Sequence, residues 1–257
     1  MKENPTDSIS EYLSAAIKSG KSILTLDDSK KVIELAGVPI NKSGLAKSGR
    51  DAVKLANEIG YPLVMKIVSP QIIHKTEAGG VKINITSEDE VIKSYNEIVM
   101  SVKEKVPDAD IKGVLLEEMV HGPEFIIGTT VDPQFGQMIM FGIGGVFVEI
   151  YKDVSFRLVP ITQGDAKDML SEIKGKPLLE GARGFPKADR EELINILVKV
   201  SDLVDKYPAI LEMDINPLVA TKKGAIAVDA KIILSQDEEP KSEDQIKEMI
   251  DLSKLSH

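Results

Sequence analysis

AILEMDINPLVATKKGAIAVDAK, Ala209–Lys231, carries the pattern that decides the fold. Two apolar strands, Ala209–Ile215 and Ala225–Lys231, are joined through a turn at Thr221–Gly224. A hairpin of this kind is antiparallel and needs no crossover helix. Side chains alternate along a strand, so Leu211, Met213 and Ile215 face one way and Glu212, Asp214 and Asn216 the other. If the turn closes symmetrically, Asn216 lies opposite Asp229, with Cβ atoms roughly 4.5–5.5 Å apart. An amide oxygen and a carboxylate at that spacing suit Mg2+, a hard cation commonly held by carboxylates together with nucleotide phosphates. The alternative is a solvated polar strand face. It leaves unexplained three acids on two otherwise apolar strands.

Working outward, the half beginning at Gly113 is rich in strands: Val114–Met119, Phe125–Val131, Gln137–Phe141 and Val146–Ile150. A later helix starts at Asp189, with Glu192 three residues on as a capping box. Its apolar stripe is Leu193, Ile196, Leu197, Val200, Leu203 and Val204. The first half mixes helices and strands. Helical spacing predicts Ile9–Ile17, Asp27–Leu35 (ended by Gly37), Ser48–Ile59 (ended by Gly60) and a helix marked by Val91, Tyr95, Ile98, Val99 and Val102. Strands are predicted at Leu63–Val68 and Val81–Ile85, the latter with Val81, Ile83 and Ile85 on one face. This order predicts an α+β fold in two lobes, not a doubly wound βαβ fold. No Walker A sequence is present, and no GxGxxG follows a first strand.

Composition narrows the partners. The net charge of −9 argues against a general nucleic-acid or acidic-membrane binder, which needs clustered cations. No apolar run approaches the roughly 18 residues of a membrane span, and MKENPTDSISEYL has no secretory h-region. A cytoplasmic location is the expectation. Cysteine is absent, which excludes disulfides, thiol catalysis and cysteine-held metals.

A second stretch, MKIVSPQIIHKTEAGGVKI (Met65–Ile83), carries candidate chemistry. Lys66 alternates with Val64 and Val68 on one strand face. It either snorkels at a strand edge or contacts a nucleotide phosphate that meets the cost of its burial. Gly79-Gly80 either ends a flexible loop or brings backbone close to a ligand. Gly142, Gly144 and Gly145 either line an anion nest or close a tight hairpin. His74 lies between the lysine and the Gly-Gly pair. It is either structural or a nucleophile, since a neutral imidazole can accept a phosphoryl group near physiological pH.

These motifs, with AGVPI (Ala36–Ile40), EEMVHGPEFIIG (Glu117–Gly128), FGIGGVFVE, FRLVPI, GARGF and EMDINPLV, resemble the NDP-forming acyl-CoA synthetases. The match is to the beta subunits of ADP-forming acetyl-CoA synthetase in particular, and more distantly to those of succinyl-CoA synthetase. It runs from about Leu24 to Leu234. The resemblance implies an ATP-grasp fold, two α+β lobes clamping ATP. It divides the chain into an N-terminal helix (1–21), a small lobe (22–112), a large lobe (113–234) and an acidic linker with a tail (235–257). By the same resemblance Lys66 touches the ATP phosphates; Gly79 and Gly80 are candidate binding residues from their place in the loop. Glu117, Met119 and Val120 lie on the hinge that recognises adenine, through backbone atoms at Met119 and Val120. Glu124 meets the ribose, Arg157 helps bind phosphate, and Asn216 and Asp229 hold Mg2+. His74 matches the family's phosphorylatable histidine. Thr76-Glu77 stands where relatives more often have Ser-Asp, which keeps a hydroxyl and a carboxylate.

A CoA-binding domain and a second phosphorylatable histidine have no counterpart in these motifs. The resemblance assigns both to a separate alpha subunit, usually in an alpha2beta2 heterotetramer. The expected activity is ATP + carboxylate + CoA ⇌ ADP + phosphate + acyl-CoA, with phosphate passing between ATP/ADP and a phosphohistidine relay. Competing readings are an ATP-grasp carboxylate–amine ligase, which needs no histidine relay, and a nucleotide-sensing module without catalysis.

Overall fold

The computed structural model describes residues 5–72, 74–144 and 153–236. In chain order its elements are α1 (Pro5–Lys18), α2 (Leu26–Leu35), β1 (Ser43–Ala46), α3 (Gly49–Ile59), β2 (Leu63–Val68), β3 (Val81–Ile85), α4 (Glu88–Lys105), β4 (Gly113–Glu118), β5 (Glu124–Asp132), β6 (Gly136–Ile143), β7 (Val154–Leu158), α5 (Gln163–Glu172), α6 (Arg190–Lys206), β8 (Ile210–Thr221), β9 (Gly224–Ala227) and β10 (Ala230–Leu234). The strand expected at Val146–Ile150, Gly145 of the second glycine cluster, and the chain from residue 237 onward lie outside the described residues.

Helices begin where a short polar side chain can accept an orphan N–H of the first turn. Thr25, Ser48, Ser87, Thr162 and Asp189 each accept from the amide three residues on. At Thr162 the arrangement is reciprocal with Asp165, a full capping box. At Asp189 only half of the expected box forms, because the Glu192 carboxylate turns instead to Asn195 and Lys199. Among the described residues, no helix is long and apolar enough to cross a membrane.

The described residues fold as two units, one within Asn41–Val120 and one within Met1–Ile40 and His121–His257. This corrects the expected division at both ends. Gly113–Glu118 looks in sequence like the first strand of the strand-rich half. It instead pairs antiparallel with β2 and β1 inside the smaller unit. The residues before Asn41 join the other unit, because the Leu24 amide donates to Ile232 O and Val32 and Ile33 of α2 enter that unit's core.

The smaller unit is a four-stranded antiparallel sheet, ordered β1-β4-β2-β3. Its buried face carries Leu63, Met65, Ile67, Val114 and Leu116, packed with residues of α3 and α4. The expected alternation in β3 fails at one point. Asn84 takes a left-handed backbone (φ 57°) where the register with β2 shifts. Ile83 is therefore 65% exposed while Ile85 is buried.

The larger unit carries a sheet ordered β10-β8-β5-β6-β7, with β9 also paired to β8. Phe125, Ile127, Ile139, Phe141, Met213 and Ile215 project from one face of it into a core shared with the helices. Phe125 and Phe141 stack at 5.3 Å. The stripe predicted on α6 is buried throughout, each residue contributing roughly 1.5–3 kcal/mol of transfer free energy.

The hairpin register is the symmetric one: Thr221 opposite Gly224, Leu218 opposite Ala227, and Ile215 opposite Ala230. The single strand expected at Ala225–Lys231 is divided between β9 and β10. Pro217 has no amide to give, and across from it Val228 and Asp229 fall between the two strands, though Val228 N still donates to Pro217 O at 3.0 Å. A register shift near the start of β8 also leaves Leu211 37% exposed, off the apolar face expected for it.

Candidate functional site

In the smaller unit, β2 turns Leu63, Met65 and Ile67 inward and leaves Val64, Lys66 and Val68 half-buried on the other face. Lys66 lies opposite Leu115, and Val64 opposite Glu117. The Lys66 ammonium reaches diagonally across the strands to Glu117 Oε2 at 2.5 Å. The Glu117 side chain is only 4% exposed, so a cation at contact distance offsets much of the cost of burying its charge. The sequence singled out both residues but not their contact, which becomes visible only once β2 and β4 are paired.

β2 runs into the loop that carries His74, whose residue is exposed. The backbone beneath it is closely bonded. Carbonyls of His74, Lys75 and Thr76 accept from the amides of Ala78, Gly80 and Gly79 at 3.2, 2.7 and 3.0 Å. Gly80 O accepts from Ile67 N at 2.7 Å, tying the turn back to β2. Of the two readings of Gly79 and Gly80, these bonds favour a structural turn, because both amides donate inside it. The glycines are needed for packing. Gly79 has φ +73°, and a Cβ there would meet Ser101 Oγ at 2.2 Å. At Gly80 a Cβ would meet Ile67 at 2.4 Å.

Met119 and Val120 follow β4. The Met119 amide donates to Pro62 O at 3.0 Å, so of its two backbone groups the carbonyl is the one it can offer a ligand.

In the larger unit, Glu124 opens β5 and is exposed. Asn216 and Asp229 face each other at the break between β9 and β10, where Asn216 N donates to Asp229 O at 3.3 Å. Asn216 is half-buried and Asp229 exposed. Asp214, on the same strand face as Asn216, is a member of this group that the sequence reading left without a role. Its Oδ1 is buried without a hydrogen-bond partner among the described residues. Burial pushes its carboxyl pKa up, the Asp229 carboxylate adds to the rise, and Lys231, directly across the ladder, opposes it. The signal was present in EMDIN, where Asp214 shares its face with Asn216.

An open basin of about 350 Å³ lies along this face, lined by Ile126, Met140 and Phe156 with Asp214 and Lys231. Among the described residues no three His, Cys, Asp or Glu side chains cluster as a metal cage. One amide and neighbouring carboxylates fit a Mg2+ that takes its remaining ligands from phosphate and water.

Arg157, expected to help bind phosphate, is not brought into this group but stands on β7 at the other end of the sheet. On β7 it is engaged with Glu172 of α5, with Nη2 2.5 Å from Oε1 and Nη1 3.1 Å from Oε2. Ser155 adds a hydrogen bond to the same carboxylate. The Arg157 hydrogen bonds, with that of Ser155, hold the Glu172 pKa down at about 2.

Two α+β units built on antiparallel sheets, one with a lysine on its open strand face and one with an amide–carboxylate pair, define an ATP-grasp protein. Residues 15–234 match the ATP-grasp domain family. The beta subunit of acetate–CoA ligase (ADP-forming) I from Pyrococcus furiosus is 50% identical over 208 residues, 80% of this chain and 90% of that one. The 4-hydroxybutyrate–CoA ligase (ADP-forming) of Nitrosopumilus maritimus is 45% identical over 208 residues, and this chain spans 30% of its length. Among solved structures, the dinucleotide-forming acetyl-coenzyme A synthetase 1 of Ca. Korarchaeum cryptofilum is similar with a TM-score of 0.75 at 40% identity, covering 88% of this chain and 100% of that one. That structure holds coenzyme A and Mg-AMPPCP, with its phosphohistidine segment pointing towards the nucleotide binding site. The chain belongs to the ATP-grasp family, in the group formed by the beta subunits of ADP-forming acyl-CoA synthetases, which are ligases.

Proposed function

We propose that in such a synthetase this chain binds ATP or ADP with Mg2+ and that His74 exchanges a phosphoryl group with the nucleotide. The overall reaction is ATP + carboxylate + CoA ⇌ ADP + phosphate + acyl-CoA. A lone pair on a neutral imidazole nitrogen of His74 attacks the γ-phosphorus. The P–N bond forms, the bond to the bridging oxygen breaks, and ADP leaves with that electron pair. Transfer to a histidine of a CoA-binding alpha partner frees His74 again, and each step runs in both directions.

Phosphoryl transfer asks the protein mainly for position and charge neutralisation. Lys66 supplies a cation to the phosphates, exchanging its hold on Glu117 for the ligand. Asn216 and Asp229 hold Mg2+, which neutralises charge on the phosphate oxygens when bound. Glu124 accepts from ribose hydroxyls, and the Met119 carbonyl and Val120 backbone meet the adenine edge. The carboxylate substrate is selected on the partner. Relatives of this chain at 50% and 45% identity are named for acetate and for 4-hydroxybutyrate, so a similar nucleotide subunit serves different acids. The working assembly is an alpha2beta2 heterotetramer in the cytoplasm.

The observation that carries the relay is the exposed His74 standing on a closed turn at the end of the strand that bears Lys66. The test is incubation of the reconstituted complex with γ-labelled ATP and Mg2+. Acid-labile, base-stable phosphate is expected on this chain, and His74→Ala should abolish it and lower turnover roughly a thousandfold. Full turnover in His74→Ala would sink the relay.

A further inference from the structure

The His74 turn does not stand by its own bonds alone. The two carbonyls it leaves over, at Glu77 and Ala78, are both taken by α4. Lys105 Nζ donates to Glu77 O at 2.7 Å, and Ser101 Oγ donates to Ala78 O at 3.1 Å. Every carbonyl from His74 to Ala78 is thus bonded, three within the turn and two to one helix face. Ser101 and Lys105 lie four residues apart, so they share a face of α4. The same Ser101 sets the space at Gly79, where nothing larger than hydrogen fits without displacing its hydroxyl.

This is an unusual expenditure of helix side chains on an exposed turn. Surface turns ordinarily leave such carbonyls to water, at little cost. Lys105 lies in the last turn of α4, where an ammonium is already favoured by the helix dipole. Its reach to Glu77 O ties that helix end to the turn. We infer that Ser101 and Lys105 are positioning residues for phosphoryl transfer: they fix the turn from the α4 side so that His74 is presented in one orientation. The inference rests on the role of His74 proposed above. Both side chains are committed to carbonyls of the turn. A nucleophile displaced by an ångström loses rate without losing substrate affinity.

The test uses Lys105→Met and Ser101→Ala in the complete complex, with His74→Ala and Lys105→Arg as controls. Lys105→Met should lower kcat roughly tenfold or more, with the KM for ATP unchanged, and slow labelling of His74 by the same factor. Lys105→Arg, which keeps a donor, should restore most of the rate. Hydrogen exchange should quicken at the amides of Ala78–Gly80 while those of β2 keep their protection. Ser101→Ala should act in the same direction and less. If Lys105→Met keeps wild-type kcat while His74→Ala is inactive, the positioning role is wrong and the relay stands. An equal rise in the KM for ATP, or no rescue by arginine, would also overturn it. If His74→Ala keeps full turnover, the relay falls and the positioning role with it.

Discussion

The two units treat their candidate site groups in opposite ways. In the smaller one the polar groups are bonded before any ligand arrives: Lys66 holds Glu117 at 2.5 Å, and every carbonyl under His74 has a donor. In the larger one the group around Asn216 is left short. Asp214 Oδ1 is buried without a partner among the described residues, and the Asp229 carboxylate adds to the rise in the Asp214 pKa. Buried polar atoms are rarely left unpaired in folded proteins, and one that is marks a place for an ion, a water or a ligand group. On the proposed function, one unit presents a nucleophile on a turn that is already bonded, and the other presents acids that a cation would complete.

Asp229→Asn breaks the second half of that contrast and should have the largest effect. It removes the anion proposed to hold Mg2+ and leaves an amide in its place. Labelling from γ-labelled ATP should fall on the order of 100-fold or more, with a higher Mg2+ concentration needed to recover it. Melting temperature without nucleotide should hold or rise, since the carboxylate repels Asp214. A lower melting temperature with normal Mg2+ dependence would mean that Asp229 is structural.

Lys66→Met tests the finished half, with a loss of similar kind and somewhat smaller size, roughly 10- to 100-fold in kcat/KM. Here a stability cost is expected as well, on the order of 1–3 kcal/mol, because the nearly buried Glu117 carboxylate loses its contact with the Lys66 ammonium. Adding Glu117→Gln should recover most of that stability and none of the activity. A double variant that regains both would show that the pair serves only the fold.

The contrast also explains what could be read from the chain. The hairpin at Ala209–Lys231 was legible because two alternating strands and a symmetric turn leave one register, and Asn216 falls opposite Asp229 as that register requires. The helices were legible from their stripes and caps. The unit boundary was not. It depends on β4 choosing β2 over β5, and strand partnership is a long-range choice that no local pattern encodes. Gly79 and Gly80 stayed ambiguous for a related reason. A glycine pair reports that a side chain is unwelcome, but not whether a ligand or, as here, Ser101 and Ile67 occupy the space.

Arg157 shows the smallest expected effect on activity and the plainest one on stability. The family pattern offered it to phosphate, yet its guanidinium is committed to Glu172. Arg157→Met should leave the KM for ATP and kcat within about twofold, since its guanidinium is held by Glu172. Its signature is a pH dependence. The Glu172 carboxyl is held at about 2 in the folded chain, below the unfolded value of about 4.3. A depressed carboxylate contributes stability that is fully present above the unfolded pKa and is lost as pH falls through the folded one. The gap in melting temperature between wild type and Arg157→Met should therefore be full at pH 7 and narrow steadily from about pH 4 toward pH 2. A gap that stays constant across that range would show that the arginine stabilises by packing its stem and not by its charge.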